Sequence, residues 1–369
     1  MGTLNYITQE RYDESPEIKL NIGDVLLVKD GAGVGKSARV DSLPCGGTAP
    51  NSSIGVITPY NSMSYRYVCY YIQSPVFSNF VGLLYNGMGV PHLTQEILKT
   101  IRILMPPLDE QQSICDYLDE KCAEFDTIKS DIQSQIEALE EYKKSLVFRV
   151  VSKGIKKAAL KNTVSDVWAA IPENWELIDI KYVFEIVKRI AGQEGFDVLS
   201  VTQKGLKVKD IESNNGQQAE SYAGYQFVYP TDYVMNHMGL ADWLGGLLYD
   251  VRRNKPDYRV FRLRDKENND LTYFKYVMQC CYMSRIFYSL GQGVSNLGRW
   301  RLQTSAFNNF MIPVPPLDEQ RKIADYLDTK ISEIDIIIAE KKQQIETIEE
   351  YKKSLIFEYV TGKKEVVNE

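Results

Sequence analysis

Residues 106–148 and 315–357 are nearly one sequence written twice, and this repeat constrains the fold more than any other feature of the chain. The offset is 209 residues without a gap, and 26 of the 43 paired positions are identical. Both copies open on Pro-Pro-Leu-Asp-Glu-Gln, at 106–111 and 315–320, and both close on Glu-Glu-Tyr-Lys-Lys-Ser-Leu. Each copy reads as one long helix. The proline pair fixes an extended approach, Asp109 or Asp318 is placed to cap, and Glu110 or Glu319 suits the positive first turn. Leu118, Phe125, Ile132, Leu139 and Leu146 recur every seventh residue in the first copy. In the second, Ile331, Ile338 and Ile345 form one such line, and Ile334, Ile348 and Leu355 another that Lys341 interrupts. Apolar residues at this spacing make a coiled-coil seam. Gly154 and Gly362 are placed as stops. About 45 helical residues span roughly 65 Å at 1.5 Å each, which overhangs a domain of this size, so a rod is expected rather than a helix packed on its own block.

Different sequence precedes each copy, and 369 residues leave room for two or three domains with their own cores. Short apolar runs broken by Gly, Asn and Pro suggest mixed strands and short helices, an α+β class. The expected plan is a globular block over 1–105, a helix over 106–154, a linker over 155–170, a second block over 171–314, a second helix over 315–363 and a tail over 364–369. The repeat continues weakly into the blocks. Gly89 and Leu93 align with Gly298 and Leu302, and with one residue of slippage Gly23–Gly31 aligns with Thr231–Gly239. The openings differ. The second block starts on Ile171-Pro172-Glu-Asn-Trp175-Glu176; the first has no such motif, and roughly the opening forty residues of the second have no counterpart in it.

The net charge of −6 is unevenly spread. Residues 106–154 hold 11 acidic and 6 basic side chains and 315–369 hold 13 and 9, leaving 25 acidic and 28 basic elsewhere. The acidity therefore belongs to the repeated helices, and the blocks are mildly basic. No apolar stretch has the length of a membrane span, and the first residues resemble no secretory signal. Six cysteines without a Cys-x-x-Cys pair suggest neither a disulfide framework nor structural zinc, hence a reduced, cytoplasmic protein.

No catalytic constellation emerges. Asp30-Gly-Ala-Gly-Val-Gly-Lys36-Ser37 looks like a phosphate-binding loop, but Asp30 stands where that loop requires its first glycine, so a glycine-rich turn between strands is the expectation. Asp119-x-Lys121 and Asp328-x-Lys330 have nuclease-like spacing but sit on the repeated helices, where a solvated charge pattern is expected. Only His92 and His237 are present, and no nucleophile is paired to either by pattern. What remains is a set of cations with amide neighbours on the blocks, the chemistry that contacts phosphates and base edges. In the first block these are Lys29, Lys36, Ser37, Arg39 and Asn51. In the second they are Gln203, Lys204 and Lys207; Arg252, Arg253, Lys255 and Arg259; and Asn296, Arg299, Arg301 and Gln303.

The doubled Pro-Pro-Leu-Asp-Glu-Gln helix follows divergent blocks, the second closing from Gly291 to Pro313 on Gly-x-Gly-Val…Leu…Phe-x-Ile-Pro. In this the chain resembles the specificity subunit of type I restriction-modification enzymes. Ile-Pro-Glu-Asn-Trp-Glu at 171–176 resembles the usual opening of its target-recognition domain, and Lys-Pro-Asp-Tyr-Arg-Val-Phe at 255–261 its central strand. The resemblance covers almost the whole chain. It implies two target-recognition domains that each read half of a split double-stranded DNA sequence, the first incomplete at its N-terminal side. It also implies two conserved helices packed antiparallel, with pseudo-two-fold symmetry, as a spacer. The chain itself would be non-catalytic. Two methylation subunits and restriction subunits would be its partners, and AdoMet, ATP and magnesium would belong to them. The competing expectations are a coiled-coil scaffold whose ends bind proteins without DNA specificity, and an ATPase built on Lys36.

Overall fold

A computed structural model describes residues 6–14, 19–44, 47–84, 92–193, 195, 197–202, 205–208, 223–236, 252–254, 258–291 and 301–366. The chain divides into two units, residues 1–135 with 339–369 and residues 136–338, and the division cuts through both copies of the repeat. Unit one holds α1 (Gln9–Asp13), β1 (Val25–Val28), β2 (Ser37–Arg39), β3 (Ile54–Ile57), α2 (Tyr65–Gln73), α3 (Pro75–Leu84), α4 (Gln95–Lys99) and the first half of α5 (Leu108–Lys153). Unit two holds the rest of α5, then β4 (Leu160–Asn162), β5 (Ala170–Pro172), β6 (Glu176–Asp179), α6 (Ile180–Val183), β7 (Phe184–Val187), β8 (Val198–Thr202) and β9 (Gly205–Val208). It continues through β10 (Gln226–Val228), β11 (Tyr233–Met235), β12 (Arg252–Asn254), β13 (Arg259–Leu263), α7 (Leu271–Met283), α8 (Ile286–Ser289), α9 (Thr304–Asn308) and β14 (Met311–Val314). The last helix, α10 (Leu317–Val360), starts in unit two and ends in unit one.

The long helices begin two residues earlier than the capping expectation placed them. Pro107 supplies the carbonyl that accepts from Gln111 N at 2.9 Å, and Pro316 does the same for Gln320 at 3.0 Å. Asp109 and Asp318 therefore lie inside the first turn, where their charge faces the helix dipole without capping it. Gly154 (φ 75°) and Gly362 (φ 68°) end the helices in the left-handed conformation that glycine adopts without a Cβ clash. After α10 the turn is a Schellman motif: Lys363 N donates to Glu358 O and Gly362 N to Tyr359 O.

In each unit the helix segments run antiparallel. In unit one Tyr117 packs on Tyr359 (centroids 4.7 Å), Phe125 on Tyr351 (5.4 Å), and Asp126 pairs with Lys352 at 2.7 Å. In unit two Lys143 pairs with Asp335 at 2.6 Å. With the 209-residue offset, Lys352 repeats Lys143 and Asp335 repeats Asp126. The same ion pair is thus made once in each unit, with the partners exchanged. Leu118, Ile132, Leu146, Ile334, Ile338 and Leu355 are buried. Phe125, Leu139, Ile331, Ile345 and Ile348 are half-buried. Ile136, Cys122, Ile356 and Tyr359 join them, because a helix packed on both a partner and a block buries a wider stripe than one heptad line.

The blocks are α+β. In unit one β1 is the centre of a β2-β1-β3 sheet whose apolar face packs against α2 through Val25, Leu27, Val68, Cys69 and Ile72. In unit two β13 is the centre of β11-β13-β7, beside a four-stranded sheet in the order β10-β12-β8-β9 and two two-stranded ribbons, β14-β6 and β4-β5. The alignment of Gly23–Gly31 with Thr231–Gly239 has a physical basis. Gly23 (φ 94°) and Thr231 (φ 71°) both take a left-handed turn. Buried Asp24 and Asp232 follow them and accept from Asn21 N at 2.7 Å and Tyr229 N at 2.8 Å.

Candidate nucleic-acid interface

The best-defined polar geometry lies where each block meets the helices, and it is the same in both units. Ser64 and Asp270 stand at the N-caps of α2 and α7. Their amides donate to buried Gln111 and Gln320, each at 2.8 Å, and each glutamine Nε2 returns a bond to the proline carbonyl five residues before it, Pro106 or Pro315. One turn on, Tyr67 donates to Val360 O at 3.1 Å, the end of α10. Tyr273 donates to Pro313 O at 2.9 Å and lies 3.5 Å from Val151 O, near the end of α5. Val151 is Val360 less the 209-residue offset. Each block thus grips the start of the helix that follows it and the end of the other one. Burial pushes the Tyr67 phenol up to about 12 and raises the Tyr273 phenol well above its ordinary value, so both remain donors.

A third bond completes the dock. Tyr70 donates to Asp119, and Tyr276 donates to Asp328 at 2.6 Å. Asp119 also receives Arg66 and, at 2.7 Å, Arg39; Asp328 receives Lys275 at 3.2 Å. Burial raises the Asp119 pKa, but the hydrogen bonds from Tyr70, Arg39 and Arg66 outweigh it and hold the carboxyl below its ordinary value. These aspartates correct the expectation of a solvated i,i+2 pattern: they are docking acceptors, while Lys121 and Lys330 bridge locally to Glu124 and Glu333. A sequence signal existed. Tyr67-x-x-Tyr70 and Tyr273-x-x-Tyr276 repeat at an offset of 206, three residues short of the helices.

The structure divides the basic set. The Asp30–Ser37 segment is a turn between antiparallel β1 and β2, not a loop opening onto a helix. Val28 N donates to Lys36 O at 2.8 Å across it, and Lys36 is exposed at its edge. Lys29 is half-buried, its stem lying across Gly55 of β3. Ser37 Oγ faces inward, 3.7 Å from Cys69 Sγ. Asn51 is exposed and accepts from Ser53 N at 3.1 Å in a local turn. Arg39 is half-buried, its guanidinium paired with Asp119 and 3.6 Å from Asp41.

In unit two Arg259 is also turned inward, with 6% exposure. It sits on the central strand, donates to Leu302 O at 3.1 Å and Thr304 Oγ1 at 3.2 Å, and lies over the Phe307 ring. Burial first, and Arg301 second, bring its pKa down to about 10, so it stays charged at neutral pH. Its place is to tether β13 to the segment that carries exposed Arg301 and Gln303. Arg252 and Arg253 lie in β12 opposite Val228 and Phe227, and Lys207 lies in β9 opposite Ser200; their side chains fall outside the described residues. Gln203, Lys204, Lys255, Asn296 and Arg299 lie outside them altogether. Among the described residues no cluster of three or more metal-ligating side chains occurs, and no helix is long and apolar enough to cross a membrane.

Comparison with known proteins accords with this architecture. The family model described as the type I restriction modification DNA specificity domain matches residues 1–138 and 253–347. The type I restriction enzyme MjaVIII specificity subunit of Methanocaldococcus jannaschii is 27% identical over 375 residues, covering 95% of this chain and 81% of that protein. The putative type I restriction enzyme MjaX specificity subunit of the same organism is 25% identical over 381 residues, covering 98% and 83%. A chain from the structure described as the structural basis underlying complex assembly and conformational transition of the type I R-M system superposes with a TM-score of 0.66. It is 13% identical over 93% of this chain and 82% of that one, a likeness of fold. The family model covers more than half of the residues and the fold alternates two recognition blocks with two long helices; the chain belongs to the type I restriction-modification specificity subunits.

Proposed function

We propose that this subunit reads a split double-stranded DNA target, each block contacting one half, with α5 and α10 setting the number of unread base pairs between them. The exchange of one ion pair, Asp126–Lys352 for Lys143–Asp335, carries this reading. A block docked in the same way on the repeated helices in each unit gives two equivalent readers, and equivalent readers suit a target with two halves. In this reading exposed Lys36, Arg301 and Gln303 contact DNA, while Arg39 and Arg259 hold their surroundings in place. The acidic helices serve protein partners: two methylation subunits, with restriction subunits joining them. AdoMet, ATP and magnesium chemistry then belongs to those partners, and this chain is non-catalytic.

Co-expression with an adenine methyltransferase subunit, followed by methylation mapping of the host DNA, tests the reading. A methylated motif in two parts separated by a fixed number of arbitrary bases is the expected result. A continuous motif, or a purified complex whose DNA affinity does not change with salt, would refute it.

A further inference from the structure

Large apolar side chains stand in solvent on both long helices, and they repeat. In unit two Tyr142 of α5 and Ile337 of α10 are 57% and 41% exposed; in unit one Tyr351 of α10 and Ile128 of α5 are 56% and 46% exposed. The 209-residue offset makes Tyr351 the copy of Tyr142 and Ile337 the copy of Ile128. A single exposed apolar residue is ordinary. The same two residue types exposed at the same two places in each unit make a surface.

Helix geometry joins each pair into one strip. Each of the four residues lies three positions after a seam residue, Leu139, Ile334, Ile348 or Phe125. Three positions turn a side chain about 60° off the seam, always toward the same side. The helix segments are antiparallel, so an equal turn on both brings the two side chains to one side of the pair. Tyr142 and Ile337 therefore form a strip along unit two, and Ile128 and Tyr351 its repeat along unit one. Exposed carboxylates flank each strip, Glu141 and Glu333 in unit two, Glu350 and Glu124 in unit one.

The strips are alike but not equal. Ile336, 56% exposed, widens the unit-two strip on the side away from the seam. The repeat places Thr127 there in unit one, and its hydroxyl donates to Ala123 O at 2.9 Å on its own helix. A partner gains one methyl group from Thr127 but a whole branched side chain from Ile336. That difference favours the unit-two strip by about tenfold in affinity.

We infer that each strip docks an apolar surface ringed by lysine or arginine on one methylation subunit, and that the unit-two strip fills first. The inference rests on the reading that methylation subunits are the partners of these helices; it does not depend on the DNA reading. The acidity of the helices selects a basic rim on the partner. Two copies of one strip suit two copies of one subunit.

The purified full chain is mixed with one equivalent of the purified adenine methyltransferase subunit, and amide hydrogen exchange is followed in both units. The expected result is about threefold greater occupancy over 138–145 and 333–337 than over 124–131 and 347–354, the division that a tenfold preference gives when one subunit is shared between two strips. The double variant Ile336→Thr, Thr127→Ile should move the greater protection to unit one. Both positions are exposed, so its melting temperature should stay within about 2 °C of the parent chain. Equal protection of the strips in the parent chain, protection that stays on unit two in the double variant, or binding that protects neither strip overturns the inference and leaves the partner reading standing. A methyltransferase subunit that does not bind at all overturns both.

Discussion

Replacing Gln320 by methionine keeps the length and apolar packing of the side chain and removes only its hydrogen bonds. Gln320 is 1% exposed; it accepts from Asp270 N at 2.8 Å and donates to Pro315 O at 2.9 Å. Asp270 caps α7, accepting from Tyr273 N at 2.8 Å, so one amide joins the cap of the block helix to the start of α10. In the variant a backbone donor and a backbone acceptor lose their partner, each costing about 1–3 kcal/mol where water cannot replace it. Partial access of water at the Asp270 amide trims the total to about 2–4 kcal/mol. At 1.4 kcal/mol per decade this raises the opening constant of the dock by about 30- to 1000-fold. Amide exchange over 271–283 reads it directly, and exchange over 65–73 should stay unchanged, because Gln111 serves that helix. Gln111→Met should give the mirror result. A change in exchange of less than about threefold in either variant, or loosening of both helices together, would refute this role of the two glutamines.

Four further outcomes follow from the same geometry. The depressed Asp119 carboxyl contributes stability that is present above its unfolded value near 3.8 and lost as the pH falls through the folded value. Acid unfolding of unit one should therefore begin below about pH 4, and Asp119→Asn should flatten that limb while weakening the dock at neutral pH. Thr231→Gly should stabilise unit two by about 1 kcal/mol, since a β-branched residue at φ 71° carries left-handed strain and loses in exchange only an exposed bond from Lys266; a lower melting temperature would contradict this. Inserting one heptad in α5 after Gln135 and one in α10 before Lys341, which bond to each other, should lengthen the unread gap in the methylated motif. Seven residues add about 10 Å, up to about three base pairs at 3.4 Å each. Arg301→Ala should weaken DNA binding with no loss of melting temperature, whereas Arg259→Ala should lower the melting temperature by freeing the segment around Leu302; the reverse pattern would overturn the assignment of inward and outward arginines.

The helices were legible in the line of residues. A repeat of this fidelity, a proline pair before it, glycines after it and apolar residues every seventh position fix an element through local geometry, and local geometry is legible in a line of residues. The family was legible for the same reason, because its motifs lie on or beside those helices. The α+β class of the blocks followed from their punctuation. Tertiary structure alone decided which polar groups face inward. Arg39 and Arg259 look like their exposed neighbours in a list of cations, and Asp119 looks like any acidic residue on a solvated helix. Their partners lie 80, 43 and 49 residues away, at Asp119, Leu302 and Tyr70, and only the packing of block on helix brings them together. The exchange of Asp126–Lys352 for Lys143–Asp335 was also beyond a linear reading. Repetition says that two segments are alike, but only an antiparallel register pairs each residue with the other's copy.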